Sequence, residues 1–128
     1  MGQQQLEFGE GRVWSFTASV NVTSGILVKL DAAGLGTVRP CTAASEACLG
    51  ISLIPASAGK QVSVGIEGIY NVWVSSAAVI AGDLLGTFTG GSARERAFGV
   101  ENDRRSYDVG LALEAIANGA RGKVKLYW

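Results

Sequence analysis

The stretch from Gly50 to Val64 constrains the fold more than any other, because the chain uses it twice. Gly50-Ile51-Ser52-Leu53-Ile54 reads as a strand, Pro55-Ala56-Ser57-Ala58-Gly59 as a small-residue turn, and Gln61-Val62-Ser63-Val64 as the start of a second strand. The alternation then runs on to Val74. A related phrase returns as Gly110-Leu111-Ala112-Leu113-Glu114-Ala115-Ile116-Ala117-Asn118-Gly119 and leads into Lys123-Val124-Lys125-Leu126. Gly50 and Gly110 open the two copies, Leu53 and Leu113 follow at the same spacing, and Gly59 and Gly119 close them. A second echo links Asn21-Val22-Thr23-Ser24-Gly25-Ile26-Leu27 to Ala78-Val79-Ile80-Ala81-Gly82-Asp83-Leu84-Leu85. Together they give two half-chains, about Val20–Val64 and Val79–Leu126, with the same order of parts. That is the pattern of a diverged internal duplication, or of one hairpin idiom used twice.

The remaining segments speak the same language. From Arg12 to Val20, Trp14, Phe16, Ala18 and Val20 alternate with Val13, Ser15, Thr17 and Ser19, the period of a half-buried strand. Ile26–Leu30 reads as a strand, and Gly36–Cys41 as a short one that Pro40 places at an edge or end. Thr42–Ala47 is a turn or a single helical turn. Gly65 and Gly68 inside a strand predict a bulge or a close backbone approach. Ala112–Ala117 has helical propensity, but its glycine flanks and its parallel with Ser52–Ser57 favour strand and turn. Lys123–Trp128 alternates as a final strand. Gly90–Arg96 and Glu101–Arg105 carry much of the charge and read as exposed loops. The expected fold is all-β, a small barrel of short antiparallel strands occupying residues 12–128. An extended arm over residues 1–11 precedes it, carrying Leu6 and Phe8 as apolar anchors. Such a segment frays, or orders on a partner by adding to a sheet edge.

Composition narrows the function. Hydrophobic residues are 48% and charged residues 17%, so a packed core is expected and disorder is not. Eighteen glycines against two prolines suit tight turns between short strands. Eleven basic and eleven acidic side chains cancel, which argues against nucleic acid as a partner and leaves little electrostatic protection against self-association. With no charged-then-apolar leader and no apolar run near membrane-spanning length, the chain is expected to be soluble and unsecreted, with no membrane partner. The Asn21-Val22-Thr23 sequon is then read as chance.

The search for chemistry returns little. There is no histidine, which removes the commonest general base, metal ligand and pH switch. Cys41 and Cys48 match no zinc spacing and read as small part-buried residues rather than a functional bridge. Gly34-Leu35-Gly36 and Gly90-Gly91 lack the Lys-Ser/Thr of a phosphate loop. Glu67, Asp83, Asp108 and Glu114 are the carboxylates from which a dispersed acid–base pair would have to come. Arg94, Arg96, Arg104 and Arg105 interleave with Glu95, Glu101 and Asp103, so a solvated, self-compensated loop is the first reading. Trp14, Trp73 and Trp128 sit on alternating strands. They are read as core or barrel-mouth packing or, if exposed, as an interface or a sugar platform.

In order, Ser24-Gly25-Ile26-Leu27-Val28, Leu49-Gly50-Ile51, Ala56–Val64, Glu67-Gly68, Ile80-Ala81-Gly82-Asp83 and Val109-Gly110-Leu111-Ala112-Leu113-Glu114 resemble the small capsid cement or head decoration proteins of tailed phages. The resemblance spans about Val20 to Leu126. It implies a compact β-barrel or β-tulip that binds the outside of the expanded capsid without catalysis or cofactor, and cements it. It also implies the major capsid protein as partner, a homotrimer on the shell, and a virion location after assembly in the host cytoplasm. A loop as long as Gly90–Arg105 is not expected from the family pattern. Capsid contact is expected in the arm and its root, at Gln5, Leu6, Phe8, Arg12 and Trp14, with a second contact at Arg94, Arg96, Arg104 and Arg105. The competing reading is a β-barrel carbohydrate- or ligand-binding module that uses exposed tryptophans.

Overall fold

A computed structural model describes residues 12–31, 36–42, 48–95 and 108–126. Nine strands form in chain order: β1 (Arg12–Ala18), β2 (Leu27–Leu30), β3 (Thr37–Pro40), β4 (Gly50–Ser52), β5 (Gln61–Trp73), β6 (Leu84–Thr87), β7 (Ala93–Glu95), β8 (Asp108–Ala112) and β9 (Arg121–Leu126). A short 3₁₀ turn, Thr89–Gly91, is the one helical element among the described residues. The all-β expectation holds, and 112–117 is strand end and turn, as its glycine flanks predict.

The strands close on themselves twice. β1 runs parallel to β3 and antiparallel to the first part of β5; β3–β2, β2–β4 and β4–β5 are antiparallel. That ring of five strands is a closed barrel. The second part of β5 then pairs with β9, β9 with β8, β8 with β6 and β6 with β7. A parallel bridge between Val74 and Ala93 brings β7 back to the end of β5. Closure removes the unpaired edges that make small sheets aggregate. β5 serves both halves, which is why it is the longest strand.

The duplication read from glycines extends to the hydrogen bonds. The Val22 N–H donates to the Ala56 carbonyl at 2.8 Å, as the Val79 N–H does to Ile116 at 2.9 Å. Gly25 to Ser52 is matched by Gly82 to Ala112, Leu53 to Ser63 by Leu113 to Lys123, and Gly59 to Ala18 by Gly119 to Val74. The register of β1 on β5 (Trp14 opposite Val64, Thr17 opposite Gln61) returns as β5 on β9 (Tyr70 opposite Val124, Trp73 opposite Arg121). The true repeat therefore starts earlier than Val20, at β1, and its second copy starts inside β5. Gly50 and Gly110 do the same work: a Cβ on either would run into a backbone carbonyl, of Gly65 and Lys125 respectively.

Two cores follow. The first half encloses Ala18, Val22, Ile26, Val28, Val38, Val62, Val64 and Ile66. The second encloses Tyr70, Val72, Val74, Val79, Leu85, Ala93, Val109, Ala112, Ile116, Val124 and Leu126. Into this second core reach four residues of the first half, Leu27, Cys41, Cys48 and Ile51. Leu27 and Ile51 lie directly across from one another on β2 and β4. They alternate with inward-facing Val28 and Ser52, so the pleat turns them to the outside of the first barrel. The outer face of the first half is thus the plug for one end of the second.

One local expectation is corrected. Residues 90–95 are not an exposed loop: Gly91, Ser92 and Ala93 are buried, and Ala93–Glu95 forms β7. Inward-facing Ala93 is small enough to hide between charged neighbours, so the charge count concealed a strand. The rest of that loop, 96–107, lies outside the described residues. Cys41 and Cys48 are free and buried rather than part-buried.

Candidate functional site

The expected capsid-contact residues fall into two groups. Gln5, Leu6, Phe8, Arg96, Arg104 and Arg105 lie outside the described residues. Arg12, Trp14 and Arg94 are described, and each has a definite setting. Arg12 lies at the start of β1 and pairs with Glu67, Nε to Oε1 at 3.4 Å, with both side chains well exposed. Arg94 on β7 lies over the Phe88 ring, 5.1 Å from its centroid, a cation–π contact that fixes it locally. Trp14 is 54% exposed.

The setting of Trp14 follows from β1's length. Arg12 to Ser15 are all exposed, Phe16 is half-buried and Ala18 is buried, so the strand projects beyond the barrel. β3 reaches β1 only at Thr17 and Ala18. Along Arg12–Phe16 one backbone edge bonds β5, and no strand among the described residues takes the other. Trp14 and Phe16 share the inward face with Ala18 by the period of two. The Trp14 indole therefore points across the open end of the first barrel.

Leu30 ends β2 at the same opening. It shares a face with buried Val28, is paired with Val38, and is 58% exposed. Leu49 and Ile66 pack at the floor of this opening against the first core. Trp14, Leu30, Leu49 and Ile66 make an apolar mouth. The sequence reading singled out Trp14 and missed Leu30, because a strand that outlasts its barrel keeps its alternation while losing its cover.

The corresponding end of the second half is closed. Tyr70 takes the place of Trp14, Thr87 that of Leu30, Val109 that of Leu49 and Leu126 that of Ile66, and none is more than 2% exposed. The plug from the first half does this. A Cβ on Gly65 would sit 2.6 Å from the Tyr70 Cζ atom, so the ring lies hard against bare backbone, the close approach predicted at that glycine. The Tyr70 hydroxyl donates to the Glu67 carbonyl at 3.2 Å, and burial raises its pKa.

Chemistry is sparse elsewhere. Glu114 Oε2 accepts the Lys123 N–H at 2.8 Å, Asp83 Oδ2 accepts the Ile80 N–H at 2.9 Å, and Glu67 holds Arg12. Each of these carboxylates is committed to its own turn or strand. The sequon residue Asn21 is likewise structural, its Oδ1 accepting the Ala58 N–H at 2.9 Å. The Cys48 thiol is pushed up by its hydrogen bond to Cys41 and by burial, which keeps it a protonated, unreactive core group. Among the described residues, no three Cys, Asp or Glu side chains gather to hold a metal ion.

Trp128 lies outside the described residues, and the two exposed tryptophans among them, Trp14 and Trp73, do not form one platform. Trp73, 42% exposed, is stacked by Arg121 at 5.2 Å and sits at the far end of β5 from Val64, Trp14's cross-strand partner. At about 3.3 Å per strand residue the two indoles are on the order of 30 Å apart. The core or mouth packing expected for Trp73 falls instead to Tyr70.

A family model described as phage cement protein matches residues 8–126. Comparison with curated proteins returned no match. Among solved structures, the chain is similar to the head fiber gp8.5 N base of bacteriophage phi29, with a TM-score of 0.66 at 17% identity, over 92% of this chain and 95% of that one. At that identity the likeness shows the fold, which the two chains share over most of their lengths.

Proposed function

The chain belongs to the phage cement protein family, a structural, capsid-associated group, and from that premise we propose that it binds the outer surface of the expanded shell and cements it against internal pressure. Its partner is the major capsid protein, it acts as a homotrimer without catalysis, and it takes neither nucleic acid nor membrane. It joins the capsid in the host cytoplasm and remains on the virion exterior.

The observation that carries this reading is the open backbone edge of β1. Among the described residues, no strand takes the outer backbone edge of Arg12 to Phe16, at the point where residues 1–11 enter the barrel domain, 12–128. An exposed edge of this kind is a template for an added strand, whose backbone bonds supply affinity while alternate side chains supply specificity. Gln5, Leu6 and Phe8 are the arm's contacts, and Arg12 and Trp14 stand at its root. Because Arg94 is held on Phe88, the second contact rests more on Arg96, Arg104 and Arg105. Many equivalent sites on one shell turn a modest single contact into firm attachment.

Deleting Met1–Gly9 should leave the far-ultraviolet circular dichroism and melting temperature of the barrel unchanged while abolishing co-sedimentation with empty expanded phage heads. Truncated protein that pellets with the heads as well as the full chain does would sink the arm's role.

A further inference from the structure

The two halves are joined by an apolar plug fitted to an apolar mouth, and each half carries both surfaces. Within the chain, the plug of the first half (Leu27, Ile51, Cys41 and Cys48, with Leu53 at its margin) closes the mouth of the second. Among the described residues, the repeat leaves one of each unused. The mouth of the first half is open at Trp14 and Leu30, above Leu49 and Ile66. The plug of the second half is open at the positions that match Leu27, Ile51 and Leu53. These are Leu84 and Leu111, which face one another across β6 and β8 and are half-buried, and Leu113, which is 39% exposed.

We propose that the occupant of the open mouth is a second copy of this chain, seated by its Leu84–Leu111–Leu113 face, so that the contact between copies repeats the contact between halves. The interface within the chain shows one such pair of surfaces fitted together, and the repeat presents a related pair on the outside of the molecule. The contact is heterologous, mouth to plug. It therefore propagates, closing into a ring where the rotation allows. Lys125 holds in the second half the place that Gly65 holds in the first. A Cβ at Gly65 would stand 2.6 Å from the Tyr70 ring, so Trp14 seats further out over Lys125 than Tyr70 does over Gly65, where the indole meets the ammonium group.

The proposal rests on the chain's own repeat and not on capsid binding, so its test contains no shells. Sedimentation velocity of the purified full chain, across a thousandfold range of concentration, should show association. Leu30→Glu, at the mouth, and Leu113→Glu, at the plug, should each move that association to at least a hundredfold higher concentration. Both sites are exposed, and near-ultraviolet circular dichroism confirms the fold of each variant. The equimolar mixture is the decisive sample. The intact plug of L30E fits the intact mouth of L113E, so a dimer should form and nothing larger. A wild-type chain that stays monomeric throughout, or variants that associate like it, would overturn the proposal. So would a mixture of folded variants that forms no dimer.

Discussion

The two halves of this molecule share a hydrogen-bond ladder and differ in what lies beyond its ends. Trp14 and Tyr70 occupy the same register, one opposite Val64 and the other opposite Val124, yet one is half-exposed and the other completely buried. Leu30 and Thr87 are stranger still. The leucine faces water and the threonine is buried, the reverse of what side-chain chemistry alone would choose. The difference teaches that burial at a barrel end is decided by the neighbouring body, not by the barrel's own residues. Where the first half supplies a plug, a tyrosine and a threonine are enclosed. Where the described residues supply no such plug, a tryptophan and a leucine are left out.

The largest effect should come from cutting the two aromatics back to the same stub. Tyr70→Ala removes a fully buried ring from the joint between halves and should cost about 3–5 kcal/mol, as buried aromatic truncations do. Trp14→Ala should cost less than about 1 kcal/mol in the isolated chain, because much of that ring is already in water. Denaturant midpoints of the two variants measure the gap directly. Equal losses would mean that the first mouth is covered within the chain and that the contrast is false.

The paired glycines come next. Gly50→Ala and Gly110→Ala each push a methyl at a backbone carbonyl, which cannot rotate aside as a side-chain tip could. Overpacking of this kind costs about 1–3 kcal/mol. Here the halves should agree, each variant losing a similar amount in the same denaturation experiment. A loss at one site with none at the other would break the equivalence of Gly50 and Gly110.

That equivalence was legible in the sequence because a glycine required by a close backbone approach leaves a mark that no other residue substitutes for. Gly50, Gly59, Gly110 and Gly119 marked the repeat, and alternation placed β1, β5 and β9. The ends of the repeat were less visible. β1 and the middle of β5 correspond in register, but Trp14 faces Tyr70 and Phe16 faces Val72 across the duplication, so the likeness is geometric and not literal. β7 was hidden because one small inward residue, Ala93, is all that the barrel asks of it. The mouth was half-seen: Trp14 attracts attention by type, whereas Leu30 in an alternating strand looks like core. Sequence records which face a side chain is on, but not whether anything stands opposite that face.

The smallest effect should be at Arg12. Its pairing with Glu67 has no counterpart in the second half, where Gly68 holds the equivalent place opposite Leu126. The pair is solvent-exposed at 3.4 Å, so water screens it and both side chains give up rotamer freedom to form it. Exposed pairs contribute about 0–1 kcal/mol, and Arg12→Ala should shift stability by less than about 0.5 kcal/mol, at low salt as at high. A loss above about 1 kcal/mol would make the ion pair a structural element peculiar to the first half, and would weaken Arg12 as a capsid contact. If stability is unchanged while co-sedimentation with expanded heads falls, the arginine serves the partner and not the fold, as an exposed charge at the root of an open strand edge should.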